Sequence, residues 1–101
     1  SKRKIEEIDA VSSKIEDRSF SIWDDLIHGY GGGYLDPVIG TRSRPASSYE
    51  GFKFKENMTV VIQPNVITND HTAGIQTGEL VHIQKDKSVR MHSFKMGYIQ
   101  L

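Results

Sequence analysis

The stretch that decides the fold runs from residue 54 to residue 64 and reads Phe-Lys-Glu-Asn-Met-Thr-Val-Val-Ile-Gln-Pro. Its three consecutive β-branched residues, Val60, Val61 and Ile62, favour an extended backbone because branched side chains pack well on a pleated surface. Two later segments have the same character, with a turn at Lys85-Asp86-Lys87 between them. We therefore predict three strands, at Met58 to Gln63, Gly78 to Gln84 and Ser88 to Phe94.

Upstream of these strands the pattern is helical. From Lys4 to Asp17, apolar residues recur every three or four positions, at Ile5, Ile8, Val11 and Ile15. This spacing predicts an amphipathic helix with one buried stripe. The apolar patch that follows, from Phe20 to Ile27, fits either a short helix or the start of a strand. The order of a helix and then strands predicts an α+β fold, with the helix packed on a small antiparallel sheet.

Two loops separate the helix from the first predicted strand. Four glycines lie between Gly29 and Gly33, which gives the backbone access to positive φ and allows another segment to approach closely. The next stretch, from Asp36 to Lys55, reads as a long loop, and long loops are often functional. Within it, Arg42 and Arg44 flank a serine and are candidates for binding a substrate carboxylate; the alternative is an ordinary solvated loop.

Composition excludes several classes of function. The 101 residues suffice for one domain or for part of one. Thirteen Lys and Arg residues balance thirteen Asp and Glu residues, so no net field attracts nucleic acid or an anionic membrane. The chain has no cysteine, which removes disulfides and thiolate metal sites and is compatible with a cytoplasmic location. No apolar run approaches the roughly 20 residues that span a bilayer.

Three segments occur in an order that resembles a known enzyme family. They are a glycine-rich stretch from His28 to Gly33, the strand from Phe54 to Pro64, and the segment Gly74-Ile75-Gln76-Thr77-Gly78-Glu79. The chain resembles the pita-bread metallopeptidases (creatinase and methionine aminopeptidase-like), and specifically the carboxy-terminal half of the catalytic domain of the Xaa-Pro aminopeptidase and dipeptidase type. The resemblance covers nearly all of residues 1–101, so we expect this chain to be a portion of such a domain.

The resemblance implies a metal-dependent hydrolase. Members of the family hydrolyse an amino-terminal peptide bond, often before proline, with a water molecule that bridges two divalent cations such as Mn, Co or Zn. Their five ligands are two aspartates on an earlier hairpin, a histidine and two glutamates. The earlier hairpin lies outside this sequence. The chain therefore contains the positions of three of the five ligands.

Aligned on the family, the three ligand positions fall at Gly32, Gln63 and Gly78. In the Xaa-Pro register His28 is the substrate histidine and Gly32 takes the ligand position; in the methionine aminopeptidase register His28 is itself the ligand. A further family histidine falls at Ile39 or at Leu35, depending on the register. A shift of one residue would bring Glu79 to the position of Gly78. Such a shift would turn Glu79 to the other face of the strand, because side chains alternate.

These replacements predict that the chain holds no metal and is inactive as given. The alternative is the substrate side of an active hydrolase with an unusual site. Gln63 and Gln76 interrupt predicted core strands and need hydrogen-bond partners once buried, so we expect an amide-lined pocket. The resemblance implies that its ligand is a peptide or a small amide. A metal cluster of His71, His82 and His92 is a weaker alternative. Uncovered sheet surface further predicts a homo-oligomer.

Overall fold

The structure is a computed structural model that describes residues 2–45 and 52–101. Within these ranges the protein is an α+β chain, with a helix packed against antiparallel sheets. The elements are α1 (Lys2–Glu16), β1 (Phe20–Trp23), β2 (Ile27–Tyr30), β3 (Tyr34–Ile39), β4 (Thr59–Ile62), β5 (Asn65–Thr68), β6 (Gly74–Ile75), β7 (Glu79–Ile83) and β8 (Ser88–Arg90).

The strands form two sheets that continue into each other. One sheet has the order β1-β5-β6 and the other the order β3-β2-β4-β7-β8. Short links join β1 to β2, β4 to β5 and β6 to β7, through residues 24–26, 63–64 and 76–78. The order β1-β5-β6 in one sheet matches the order β2-β4-β7 of the strands to which they are linked in the other. The three links therefore lie side by side. We call these three links together the bend line.

The core lies between α1 and one face of the larger sheet. Its buried residues are Leu26, Ile27, Ile39, Val60 and Val81, and Ile8 of α1 packs against them. The predicted strand around Val60 is therefore confirmed as the centre of the fold, with Val60 only 2% exposed. Val60 is the most buried residue of this cluster, whereas Ile62 on the same strand is 36% exposed.

The predicted helix forms, but its buried stripe differs from the prediction. Ile8 and Ile15 are half-buried, whereas Val11 is 63% exposed. Ser12 is buried in its place at 2% exposure, and its hydroxyl donates to the carbonyl oxygen of Asp9 at 3.0 Å. A serine can be buried here because that bond satisfies its donor within the helix. The side chain of Ile5 lies outside the described residues.

Three further predictions are corrected by the structure. The ambiguous patch from Phe20 to Ile27 forms β1 and the first residue of β2. The predicted long loop is wrong over residues 36–39, because β3 returns beside β2. The predicted last strand ends at Arg90 rather than at Phe94, and the sequence pattern missed β5. The strand that the family resemblance implies over residues 74–79 is interrupted, because only Gly74–Ile75 form β6 and residues 76–78 are a link to β7. Pro64 directly before β5 and Gly74 in β6 both weaken a strand signal.

The β2–β3 hairpin depends on its glycines. Gly32 and Gly33 have φ values of 76° and 154° in the turn. The register shifts between His28 and Gly29, which brings the backbone of Asp36 against Gly29. A Cβ atom on Gly29 would lie 2.2 Å from the carbonyl oxygen of Asp36. Any side chain at this position therefore forces the two strands apart.

We predict that Gly29→Ala destabilises the protein by about 3 kcal/mol, because the added atom collides with backbone that cannot move independently. The matched control is Gly78→Ala, where the new Cβ would be no closer than 3.8 Å to its neighbours and the expected cost is under about 1 kcal/mol. Chemical denaturation followed by circular dichroism measures both. Equal stabilities of the two variants would contradict the assigned register.

The turn between β5 and β6 predicts a pH dependence. The carboxylate of Asp70 accepts hydrogen bonds from the hydroxyls of Thr68 and Thr72, both at 2.7 Å, and from the backbone N–H of Thr72 at 3.1 Å. These bonds, first that from Thr68, lower the pKa of Asp70 from 3.8 to about 2. A depressed pKa in the folded state stabilises the fold above the unfolded pKa, and this contribution is lost as the pH falls.

We therefore expect Asp70→Asn to lower the free energy of unfolding at pH 7. The difference from the unmodified protein should stay constant down to about pH 4 and shrink between about pH 4 and pH 2, where the native carboxylate becomes protonated. Urea titrations at intervals across this range measure the effect. If the difference in unfolding free energy between the two proteins stayed the same at every pH, the negative charge of Asp70 would not be the property that stabilises the turn.

Candidate functional site

The bend line brings two of the predicted ligand positions together. A Cβ atom built on Gly78 lies 3.8 Å from Cβ of Gln63 and 4.0 Å from Cγ1 of Val61. His28 pairs with Val61 on the neighbouring strand, and directly paired residues of an antiparallel sheet share a face. His28, Gln63 and Gly78 therefore lie on one face of the sheet. The alternate residues, among them Val60 and Ile27, face α1.

His28 is buried and its imidazole is oriented by the backbone. The side chain is 6% exposed, and Nδ1 lies 2.9 Å from the carbonyl oxygen of Gly29. Because a carbonyl oxygen only accepts, this hydrogen bond requires the proton on Nδ1. In neutral His28 the lone pair then belongs to Nε2, the arrangement found in metal-binding and general-base histidines.

Gln63 is held by a carboxylate that the sequence prediction missed. Its Nε2 donates to Oδ2 of Asp25 at 3.3 Å, and its backbone N–H donates to the carbonyl oxygen of Leu26 at 2.8 Å. Both contacts connect two links of the bend line. The signal in the sequence was the acidic pair Asp24-Asp25, which interrupts an apolar patch. A partly buried carboxylate in such a patch needs a donor nearby.

Glu79 lies on the opposite face from Gln63 and Gly78. It pairs with Ile62 in the register, and its carboxylate accepts hydrogen bonds from Arg90 at 2.9 and 3.0 Å. Nε2 of His92 lies 3.1 Å from the same group. The hydrogen bond from Arg90 is the main reason why the pKa of Glu79 is lowered. This carboxylate therefore fixes the segment after β8 and does not reach the face of His28.

Gly32, which takes the ligand position in the Xaa-Pro register, lies apart from Gln63 and Gly78. Gly32 is in the β2–β3 turn, and no heavy atom comes within 4 Å of a Cβ built on it. Ile39 is buried in the core, and Leu35 is 49% exposed on β3. In the methionine aminopeptidase register, where His28 is the ligand, the three positions His28, Gln63 and Gly78 share a face of the sheet. In the Xaa-Pro register they do not.

The predicted substrate-binding arginines both contact carboxylates of this chain. Arg42 binds Glu16 at 3.2 Å and Asp17 at 2.8 Å, and the hydrogen bond that it donates to Asp17 is the first cause of its raised pKa. Arg42 therefore attaches the loop to the end of α1. Arg44 binds Asp24 at 2.9 Å. Gln76 lies on the bend line but is exposed.

A second group of residues that sequence reasoning missed surrounds Trp23. The indole is 45% exposed; the ring of His71 meets it edge-on at 5.4 Å and the guanidinium of Arg44 lies 5.7 Å from its centroid. Trp23 pairs with Asn65 across the sheet. In the described part of the chain, Oδ1 of Asn65 is buried without a hydrogen-bond partner. No periodic pattern marks these residues, because they come from four separate segments.

The remaining histidines are dispersed. His71 contacts Trp23, His82 pairs with Thr59 on β4, and His92 contacts Glu79. Within residues 2–45 and 52–101, no group of three or more His, Cys, Asp or Glu side chains is arranged to hold a metal ion. The chemistry that the bend line offers is thus that of an amide, a buried imidazole and one nearby carboxylate.

Comparison with protein-family models, with curated proteins and with solved structures found no match to this chain. In the part of the chain that the structure describes, no helix is long and apolar enough to cross a membrane.

We predict that the protein binds Mn²⁺, Co²⁺ and Zn²⁺ no more tightly than at millimolar concentration. The positions on the shared face offer one imidazole and no carboxylate, whereas a stable zinc site uses at least three protein ligands. Calorimetric titration of the protein, purified without chelator, measures this. Stoichiometric micromolar binding that is lost in both His28→Ala and Glu79→Ala would contradict it, because those two side chains would then have to reach one metal.

Proposed function

We propose that this chain is the carboxy-terminal portion of a pita-bread domain of the Xaa-Pro peptidase type whose metal site has been lost, and that it binds a peptide or a small amide without hydrolysing it. The observation that supports the proposal is the contact between Gln63 and Gly78 on the face that also carries His28. In the methionine aminopeptidase register of the resemblance, these are the positions at which two glutamates and a histidine are expected, whereas the Xaa-Pro register expects the histidine at Gly32. A degenerate metal site requires these three positions to lie on one face of the sheet, as they do.

The replacements also suggest what the site binds. The amide of Gln63 has its Nε2 directed at Asp25, so its carbonyl oxygen is the group that remains to accept from a ligand N–H. A neutral acceptor suits the N–H of a peptide bond or of a primary amide. The absence of cysteine fits a reducing compartment, and we include a cytoplasmic location in the proposal.

The proposal is tested by restoring the two glutamates. If Gln63 and Gly78 occupy former ligand positions, Gln63→Glu/Gly78→Glu should bind Zn²⁺ or Mn²⁺ at least about tenfold more tightly than the unmodified protein, because His28 and two carboxylates then meet on one face. The space around Gly78 permits the second substitution, since a Cβ atom there makes ordinary contacts. Calorimetry with each metal gives the affinities.

The matched control adds the same charge elsewhere. Ser88→Glu/Gln100→Glu also introduces two carboxylates, at exposed positions outside the bend line, but should leave metal affinity unchanged. The gain in the restored variant should disappear when His28→Ala is added. If the restored variant gains nothing, or if its gain survives the loss of His28, the three positions are not a former metal site.

A second candidate is an active hydrolase of the same family with an unusual site. It is favoured by the buried imidazole of His28, whose Nδ1 bond leaves the lone pair on Nε2, and by the carboxylate of Asp25 beside Gln63. An imidazole in this form can take a proton from water. Release of product from an alanyl-proline dipeptide, lost in His28→Ala, would support this candidate over a binding module.

A further inference from the structure

The sheet face that carries His28 continues along β4 beyond the bend line. His28 pairs with Val61, and Thr59 pairs with His82 on β7. Because side chains alternate along a strand and directly paired residues share a face, His82 lies on the same face as His28. Thr59, Val61 and His82 are half-buried, so each of them keeps part of its surface in contact with water.

Tyr30 belongs to the same row as Thr59 and His82. The hydroxyl of Thr59 donates to the carbonyl oxygen of Tyr30, and the ring of Tyr30 lies 6.4 Å from that of His28. Tyr30 is also exposed. An exposed phenol ring, a threonine and an imidazole therefore lie side by side across the neighbouring strands β2, β4 and β7.

This face has an apolar floor between two polar ends. Val61 and Leu80, which pair with each other and are both half-buried, form the floor. Gln63 lies at the end beside the bend line. At the other end, His82 and Gln84 line a cavity of about 350 Å³. A second place on this face, distinct from the bend line, therefore offers hydrogen-bonding side chains.

The charges around that cavity cancel. Two lysines, Lys85 and Lys87, and two acids, Glu56 and Asp86, line it. Because these four residues carry no net charge together, the cavity is suited to a neutral polar group rather than to an ion. The amides of a peptide backbone are neutral groups that both donate and accept hydrogen bonds.

The two polar ends are too far apart for a small amide. Thr59, which pairs with His82, and Gln63 are four residues apart in the chain. A strand rises about 3.3 Å per residue, so about 13 Å separates the row of Gln63 from the row of His82. A primary amide is no longer than one residue, whereas about four extended residues of a peptide span this distance.

We propose that the ligand of the bend-line site is an extended peptide segment of about four residues, which lies along β4 from Gln63 to His82. One backbone N–H of the peptide donates to Oε1 of Gln63, and the far end of the segment contacts His82. This inference rests on the proposed function, because Gln63 is one of the two contacts. It selects a peptide over a small amide, with His82 as the residue that determines the preferred length.

The first test is a series of peptides of increasing length, titrated by calorimetry into the unmodified protein. N-acetylated, carboxy-amidated alanine peptides of one to six residues carry backbone amides and no charge. We expect the dissociation constant to fall at least about tenfold from one residue to four and to change less than about twofold from five residues to six. The series does not depend on the folding of any variant.

The second test removes each contact in turn. His82→Ala should weaken binding of the four-residue peptide at least about fivefold and leave binding of the one-residue amide unchanged. Gln63→Ala should weaken both. The matched control is His92→Ala, because the imidazole of His92 contacts Glu79 on the opposite face; it should change neither affinity. Circular dichroism checks that each variant keeps its secondary structure.

The outcomes separate this inference from the proposed function. If the one-residue amide binds as tightly as the four-residue peptide and Gln63→Ala weakens it, the bend-line site stands and the extended path to His82 is wrong. The path is also wrong if affinity rises with length but is indifferent to His82→Ala. If no peptide of the series binds at millimolar concentration, the proposed function fails and the extended path fails with it.

Discussion

The three adjacent strand links have to bend at the same level, and the rest of the structure depends on this constraint. The local backbone differs from link to link. In the first, Asp24 has a φ of 61°. In the second, Pro64 lies inside a short turn in which the N–H of Asn65 donates to the carbonyl oxygen of Gln63 at 2.8 Å, and the third contains Gly78, which has no side chain. Because the backbone N–H of Gln63 donates to the carbonyl oxygen of Leu26, the first two links cannot bend independently.

The bend also explains how two half-buried polar residues, Asp25 and Gln63, come to meet. Along a regular strand the backbone groups pair with each other and side chains alternate strictly. Where the ladder is interrupted, Gln63 and Asp25 can meet, and Gln63 reaches the backbone of Leu26. The polar character of the bend-line site is thus a result of the bend.

Charged residues mainly hold this architecture in place. Arg42 attaches the loop after β3 to the end of α1, and Arg90 joins β8 to Glu79 at the start of β7. Bidentate pairs of this kind fix geometry more than they add stability at an exposed surface. The carboxylate that remains close to the bend-line amide is that of Asp25. The negative charge near the site therefore comes from Asp25, which does not correspond to a ligand position of the family.

By itself the sequence determined the local conformations. The spacing of Ile8 and Ile15 predicted α1, the run from Val60 to Ile62 predicted the central strand, and the glycines predicted a turn with positive φ. Each of these signals acts over a few neighbouring residues. The alternation of side chains was also sufficient to separate Gly78 from Glu79, since that depends only on the period of a strand.

Only the tertiary structure decided which surfaces are covered and which distant residues meet. Periodicity placed Val11 in the buried stripe, but the position of α1 over β1 exposes it and buries Ser12 instead. His28 lies on β2 and Gln63 and Gly78 lie in the links next to β4 and β7, and their common face follows from pairing register rather than from any local pattern. The physical reason is that local preferences fix the backbone of each segment, whereas burial depends on contacts between segments far apart in the chain.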